Sequence, residues 1–327
     1  GNTSNKKIKR YNFTESLDEN LEAFKEIFID DDTVKYRKYT NDELGLSFAL
    51  IYIENMVDKD SISQLIVKPL LTLNESNIDS DHITIDIAKS TIQIVDEVKN
   101  IDNINEAISD LLSGKSLLLL DNDSSIISTD NTLFTTRAIS EPVSESVVRG
   151  PREGFNEVIG ENLVMIRRKI KSPHLKFKTR EIGKRTKTTI CVCYIDDIVD
   201  KSVVKEVNRR LDKIDIDGIL ESGYIEELIK DNPYSPFATI GHYERPDRIA
   251  ANLLEGRVAI VIDGTPIVLA MPYLFIEYFQ TNEDYYDNYI YATFNRVVRI
   301  VGFFIASSIP AIYVALTTFH QEMIPTT

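Results

Sequence analysis

The hydrophobic positions along the chain fall into short runs of changing period. Between Ser16 and Phe28, Leu17, Leu21, Phe24 and Phe28 recur at helical spacing, with Ser16 as a cap and Glu19 three residues on. Leu46 to Ile53 reads LSFALIYI, the pattern of a strand buried on both faces. Ser61 to Leu71 predicts a helix that Pro69 bends or ends, and Ile83 to Val98, rich in β-branched residues, fits helix or strand. A helix is predicted over Ile101 to Ser113, stopped by Gly114; strands over Lys115 to Leu120 and Ser124 to Ser128 follow, joined by the turn Asp121-Asn122-Asp123. Further on, Gly154 to Ile170 aligns Leu163, Ile166 and Ile170 on one helical face, Leu175 to Gly183 and Thr186 to Ile195 read as strands, and Ser202 to Asp215 and Gly223 to Lys230 as helices. This alternation predicts an α/β fold with mixed sheets.

One unit occurs twice. Leu111-Leu112-Ser113-Gly114-Lys115, then Leu117 to Leu120, Asp121 and Ile126-Ile127, matches Leu253-Leu254-Glu255-Gly256-Arg257, then Ala259 to Ile262, Asp263 and Val268-Leu269, at an offset of 142 residues for most of its length. Two related α/β subdomains are therefore expected, over 1–135 and 154–285. Between them Thr136 to Phe155, with two prolines, two glycines and no hydrophobic period, reads as a connector centred on 136–153.

The C-terminal end changes the picture most. Ile300 to Phe319 is about 20 residues without a charge, enough at ~1.5 Å per residue to span a hydrocarbon core of about 30 Å. A transmembrane helix is expected over 297–319, with Pro310 tolerated inside it and Gly302, Ala306, Ser307 and Ser308 as small contact residues. Arg296 and Arg299 precede it and only His320 and Glu322 follow, so the N-terminal side is expected in the cytoplasm.

The net charge is −14 with a pI near 4.9, which excludes a general nucleic-acid binder, since phosphate neutralisation needs a basic surplus. The charge is uneven: residues 1–140 carry 14 basic and 25 acidic side chains, whereas Arg149 to Lys187 carries 12 and 4. Cys191 and Cys193 lie two apart on one strand face, an awkward geometry for bridging, which suits a reducing compartment. No apolar stretch follows the N-terminal lysines, so no signal peptide is expected.

The chain offers no coherent catalytic set. Ser113-Gly114-Lys115-Ser116 imitates the tail of a phosphate loop, but position 109 is Ser and the order helix-to-strand is reversed. The four histidines stand apart at no metal-ligand spacing, and no metal or cofactor is expected. The acidic runs Asp30-Asp31-Asp32 and Asp196-Asp197 lie at element ends, where solvated caps are the ordinary reading. The connector is richer: Glu141, Glu145, Arg149, Arg152 and Glu153 crowd around Gly150-Pro151, ahead of Gly154-Phe155. They fit an interdomain salt-bridge hinge, and equally a subunit contact or gating joint.

The series Arg149-Gly-Pro-Arg-Glu-Gly-Phe155, then Asn162 to Arg168 (NLVMIRR), then Glu244-Arg245-Pro246-Asp247 and Glu255 to Pro266 (EGRVAIVIDGTP) resembles the A subunits of GerA-type bacterial spore nutrient-germinant receptors. The likeness covers about residue 100 onward well and the first hundred in pattern only. It singles out Arg167, Arg168, Glu244, Arg245, Asp247, Glu255, Gly256, Arg257, Asp263 and Gly264 in the second subdomain. The resemblance implies a non-enzymatic component of a complex with B and C subunits in the spore inner membrane, where nutrients trigger ion release. It further implies a permease-like B subunit as nutrient binder, A subunits forming a homo-oligomer around an ion path, and a cytoplasmic N-terminal region for assembly and signal transmission. Those proteins carry several membrane helices, so a chain with one is expected to be the front part of a longer protein. The alternative is a small-molecule, nutrient-binding module like the substrate-binding proteins, with its ligand in a cleft between the lobes.

Overall fold

Among the described residues, two five-stranded sheets, each covered by helices on both faces, precede one long exposed helix. The computed structural model describes residues 11–74, 85–92, 98–133, 153–214, 217, 225, 240–272 and 289–319. In the first lobe, helix α1 (Leu17–Ile27) leads to β1 (Val34–Asn41) and β2 (Leu46–Ile53). Helices α2 (Lys59–Ile62) and α3 (Lys68–Leu71), with a π-helical turn (Ser63–Val67) between them, and then α4 (Ile85–Thr91) follow; β3 (Val98–Ile101), α5 (Ile104–Leu112), β4 (Ser116–Leu120) and β5 (Ile126–Thr129) complete the lobe. The second lobe runs α6 (Ile159–Lys169), β6 (Leu175–Ile182), β7 (Thr188–Ile195), α7 (Lys201–Leu211), β8 (Gly241–Tyr243), α8 (Pro246–Leu254), β9 (Val258–Ile262) and β10 (Val268–Met271). The final helix is α9 (Tyr289–Phe319).

The strand orders are β1-β2-β4-β5-β3 and β6-β7-β9-β10-β8, and every pairing in both sheets is antiparallel. The expected α/β architecture of two subdomains and a membrane-type helix stands. The antiparallel direction follows from tight hairpins such as β1-β2 and β4-β5, which no parallel pair can use. Side-chain alternation splits each sheet between two cores. In the first lobe Ala49, Ile51, Leu117 and Leu119 pack with α1 and α5, while Phe48, Leu50, Leu118 and Leu120 pack with the α2 to α4 layer. Full burial of each such side chain is worth about 1.5–3 kcal/mol.

The repeat extends far beyond the unit legible in the sequence. Helices α1 and α6, strands β2 and β7, helices α5 and α8, and strands β4-β5 and β9-β10 all begin 142 residues apart. Polar devices repeat with them. Asp121 Oδ1 accepts from Leu17 N at 3.2 Å and Asp263 Oδ1 from Ile159 N at 3.1 Å, so each turn carboxylate sits at the positive end of a helix. Asn122 N donates to Glu15 O and Gly264 N to Glu157 O, both at 2.8 Å. Buried Asn20 bridges the backbone of Thr14 as Asn162 bridges that of Asn156.

Several elements depart from their predicted bounds. Pro69 does not end its helix: the turn before it widens to a π-helix, which accommodates the ring and the missing N–H. Strand β1, VKYRKYTN, lies at a sheet edge, where its polar pattern is tolerated and gave no strand signal. The ambiguous stretch resolves into α4 and, at its end, β3. Helix α6 starts at Ile159, five residues later than expected, because Phe155 N pairs with Glu244 O and holds the preceding segment out of the helix. The predicted helix over Gly223 to Lys230 lies outside the described residues except for buried Ile225.

Within α9, Val297 to Ala315 forms 19 residues of mean hydropathy 1.9, none of it buried against the lobes. It is long and apolar enough to cross a membrane. Ser307 and Thr317 return their hydroxyls to the carbonyls of Phe303 and Tyr313, at 2.8 Å each, so they add no unsatisfied polar group.

Candidate functional site at the joint of the lobes

The basic window Arg149 to Lys187 opens the second lobe and the acidic surplus lies in the first, and the two meet at one joint. Arg167, in the last turn of α6, points its guanidinium at Asp31 in the loop before β1, with side-chain exposures of 1% and 0%. Thr33 donates from its backbone N at 3.2 Å and its hydroxyl at 2.6 Å to the other oxygen of Asp31. The second arm of Arg167 reaches Ser172 O and Leu175 O, each at 3.3 Å, and its plane lies over Phe177 at 4.6 Å. One side chain thus clamps the end of α6 and the first lobe together. Within Asp30-Asp31-Asp32 the middle residue is therefore not a solvated cap: the carboxylate of Asp31 is buried, because the second lobe closes over the loop, while Asp30 and Asp32 keep solvent contact.

Around this pair the loop adds to the exposed edge of the second sheet. Asp32 N donates to Phe177 O at 2.9 Å, and Asp32 Oδ2 accepts from Thr179 N at 2.9 Å and from its hydroxyl at 3.1 Å. Edge strand β6 thereby gains partners for backbone groups that would otherwise template foreign strands. Lys176 Nζ donates to Ile27 O at 3.1 Å, near the negative end of α1; burial pushes its pKa down despite nearby carboxylates. Lys178 bridges Asp30 at 3.1 Å and Asp32 at 3.6 Å; burial lowers its pKa, but these carboxylates outweigh that and raise it overall. Val164 of α6 packs into the core of the first lobe, and a Cβ on Gly160 would lie 2.5 Å from Asn55 Nδ2. Beside the joint lies a cleft of about 240 Å³ lined by Asp32, Lys35, Glu54, Arg167, Phe177 and Thr179 among others, and Arg167 Nε finds no acceptor among the described residues.

The residues singled out from sequence separate into three groups. Glu141, Glu145, Arg149, Gly150, Pro151 and Arg152 lie outside the described residues. Glu153 pairs with Lys169 at 3.2 Å, and Gly154 and Phe155 are buried beside it. The remaining motif serves mainly to build the second lobe. Arg245 grips Asp247 through two bonds of 3.0 and 2.7 Å at the start of α8, Glu244 presents its carbonyl to Phe155 N, and Glu255 pairs with Arg257 at 2.7 Å. Gly256, at φ 85°, ends α8, and Asp263 and Gly264 cap and turn as described. Arg168 reaches Leu133 O of the first lobe at 3.3 Å. Only Arg167 and Arg168 of that motif touch the joint. Asp31, Asp32, Lys176 and Gly160 were missed; the sign of charge in the two segments was the available signal, but not which charges meet.

His174 is not isolated in space: Nδ1 lies 2.8 Å from Asp196 Oδ1, and the candidate ligand atoms of His174, Asp196 and Asp197 are within 4.8 Å of one another. Cys191 and Cys193 share a sheet face as free thiols 3.8 Å apart, and burial pushes the Cys191 thiol well up, keeping it neutral.

Comparison with known proteins decides the family. The family model for the Bacillus/Clostridium GerA spore germination protein matches residues 22–327. The chain belongs to the GerA family. It is 42% identical over 312 residues to spore germination protein KA of Bacillus subtilis, covering 95% of this chain and 57% of that protein. It is 35% identical over 277 residues to spore germination protein GerLA of Bacillus cereus, covering 85% and 56%. The chain thus spans a little over half the length of these GerA-family relatives. Its fold is similar to the crystal structure of the N-terminal domain of the A subunit of the Bacillus megaterium spore germinant receptor GerK3, at TM-score 0.64 and 38% identity, covering 81% of this chain and 98% of that one.

Proposed function

We propose that this chain is the front portion of the A subunit of a nutrient-germinant receptor, and that its paired lobes assemble the receptor and pass the nutrient signal to an ion-conducting membrane part. The lobes lie on the cytoplasmic side of the spore inner membrane, as Arg296 and Arg299 ahead of the apolar span favour. B and C subunits are the partners, and a permease-like B subunit holds the nutrient.

The observation that carries this reading is the joint itself. A buried ion pair and a backbone-paired loop couple the first lobe to the second, and α9 follows the second in the chain, which supports passage of a signal between the lobes and the membrane part. The test is germination of spores whose A subunit carries Arg149→Ala with Arg152→Ala, or Asp31→Ala. Loss of assembly or of nutrient response with cooperatively folded lobes is expected; normal germination in all of them overturns the reading.

A second reading rests on the interlobe cleft. The lining carries both signs of charge, with Lys35 and Glu54 paired at 3.1 Å beside Asp32 and Arg167, and about 240 Å³ admits a molecule of amino-acid size. Ligand at 100 times its Kd would add about 2.7 kcal/mol of stability. A thermal-shift screen against amino acids and sugars at millimolar concentration tests it, and no shift counts the cleft out.

A further inference from the structure

One end of the second sheet gathers an imidazole and two carboxylates, and we propose that His174, Asp196 and Asp197 bind a divalent transition-metal ion of the zinc class. His174 stands just before β6, and Asp196 and Asp197 follow β7, so the antiparallel pairing of these strands brings residues 22 apart in sequence together. Asp196 N donates to His174 O at 3.0 Å, and Ile198 N and Val199 N donate to Ile195 O at 3.2 and 2.9 Å, which fixes the backbone beneath the three side chains. His174 Nδ1 lies 2.8 Å from Asp196 Oδ1, and one candidate ligand atom from each residue lies within 4.8 Å of the others. Donors about 2.1 Å from a tetrahedral zinc are about 3.4 Å apart, so a modest rotation of the side chains closes the set.

The internal repeat supplies the contrast. Thr33, Glu54 and Asn55 hold the corresponding places in lobe one, where Glu54 N donates to Thr33 O at 2.8 Å as Asp196 N does to His174 O. There a single carboxylate takes two lysines, Lys35 at 3.1 Å and Lys59 at 2.7 Å. Lobe two keeps both lysines but turns them elsewhere: Lys176, in the place of Lys35, donates to Ile27 O at 3.1 Å, and Lys201, in the place of Lys59, lies over the Tyr194 ring at 5.7 Å. It also sets a histidine where lobe one has Thr33 and a second carboxylate where lobe one has Asn55. Among the described residues neither Asp196 nor Asp197 forms an ion pair with a lysine or arginine. Adjacent carboxylates that face an imidazole, with the lysines of the sister site withdrawn, form a donor set for a cation rather than a salt bridge.

The donors select the ion. Imidazole suits zinc and its neighbours, whereas magnesium and calcium take oxygen ligands, so a set of one nitrogen and two oxygens favours the zinc class. The side chains of His174 and Asp196 are 15% and 29% exposed and Asp197 is exposed, so an ion enters from solvent and can keep water in its remaining position. The place in the fold gives the ion a structural role. Ser172 O and Leu175 O, on either side of His174 in the chain, both accept from Arg167. A cation that ties His174 to the turn after β7 therefore braces the loop that holds the guanidinium of the interlobe ion pair.

The experiment is calorimetric titration of the 327-residue chain, tag-free, stripped of metal and held in detergent micelles, with Zn²⁺ and separately with Mn²⁺ and Ca²⁺. The parent is expected to bind one Zn²⁺, more tightly than Mn²⁺ or Ca²⁺, and to melt at a higher temperature with Zn²⁺ present. Asp197→Asn and His174→Gln are each expected to weaken Zn²⁺ binding by about tenfold or more and to lose that rise in melting temperature. His242→Gln, at an exposed histidine on edge strand β8, is expected to bind as the parent does. A parent without one-site Zn²⁺ binding, Asp197→Asn that binds as the parent does, Ca²⁺ bound more tightly than Zn²⁺, or an equal loss in His242→Gln overturns the site. Should His174→Gln fail to melt cooperatively, Asp197→Asn decides alone, because its side chain stands in solvent and its loss leaves the fold intact.

Discussion

Replacing Asp31 by Ala tests the joint most directly. Both charges of the Asp31–Arg167 pair are withdrawn from water, so removal of the carboxylate leaves a guanidinium with two carbonyl acceptors and an aromatic face but no counter-charge. Breaking a buried pair on one side costs about 3–5 kcal/mol. For cooperative units of this size about 2–4 °C of melting temperature is lost per kcal/mol, so a fall of about 6–20 °C is expected. Arg167→Met should cost a similar amount, by stranding Asp31 on the two donors of Thr33 and releasing Ser172 O and Leu175 O. The double variant removes both charges, and its cost should fall short of the sum of the two by about 2 kcal/mol or more. Urea unfolding of the four proteins in one detergent supplies the cycle. Additive losses, or single variants within about 0.5 kcal/mol of the parent, would refute the claim that this pair couples the lobes.

Gly160→Val drives its side chain into Asn55 and should cost about 1–3 kcal/mol by overpacking; Asn55→Gly, tolerable at its φ of 63°, should recover part of that in the double variant. Gly256→Ala at φ 85°, with its Cβ 3.2 Å from Ile198 O, should cost about 1–2 kcal/mol in thermal unfolding, whereas Ala at Gly302 should leave the lobes untouched. Asp58→Ala removes the cap that receives Asp60 N and Ser61 N, and should cost about 1 kcal/mol. The carboxyl of Glu54 is pushed up by burial but held below its usual range overall by hydrogen bonds from Lys59 and Lys35. Its stabilising contribution is complete above the unfolded pKa of about 4.3 and lost as pH falls through the lower folded value. Glu54→Gln should therefore flatten part of the acid side of a pH–stability curve; an unchanged slope below that pKa contradicts it.

Helix and strand positions in the middle of each lobe were legible because burial imposes period. LSFALIYI can lie only in a sheet covered on both faces, and Leu17, Leu21 and Phe24 only on the inner side of a helix. Gly114 and Gly256 marked their helix ends because the backbone there takes positive φ. Edge strands gave no such signal: β1 satisfies half of its backbone bonds in solvent, so its side chains stay mixed. The start of α6 was misplaced because a tertiary bond from Phe155 to Glu244 decides where the helix begins.

The same division holds for the site. The sequence by itself determined that there are two related lobes, that one segment is acidic and the next basic, and that the chain ends in a helix able to cross a membrane, since composition and period are local properties. Which charges meet is not local. Asp31 and Arg167 are 136 residues apart, and only the docking of α6 on the loop before β1 buries them together. Tertiary structure also decided that equivalent positions of the two lobes have different fates: Met56 and Leu112 are buried in the cluster that takes in Val164 of the other lobe, whereas Ile198 and Leu254 are exposed.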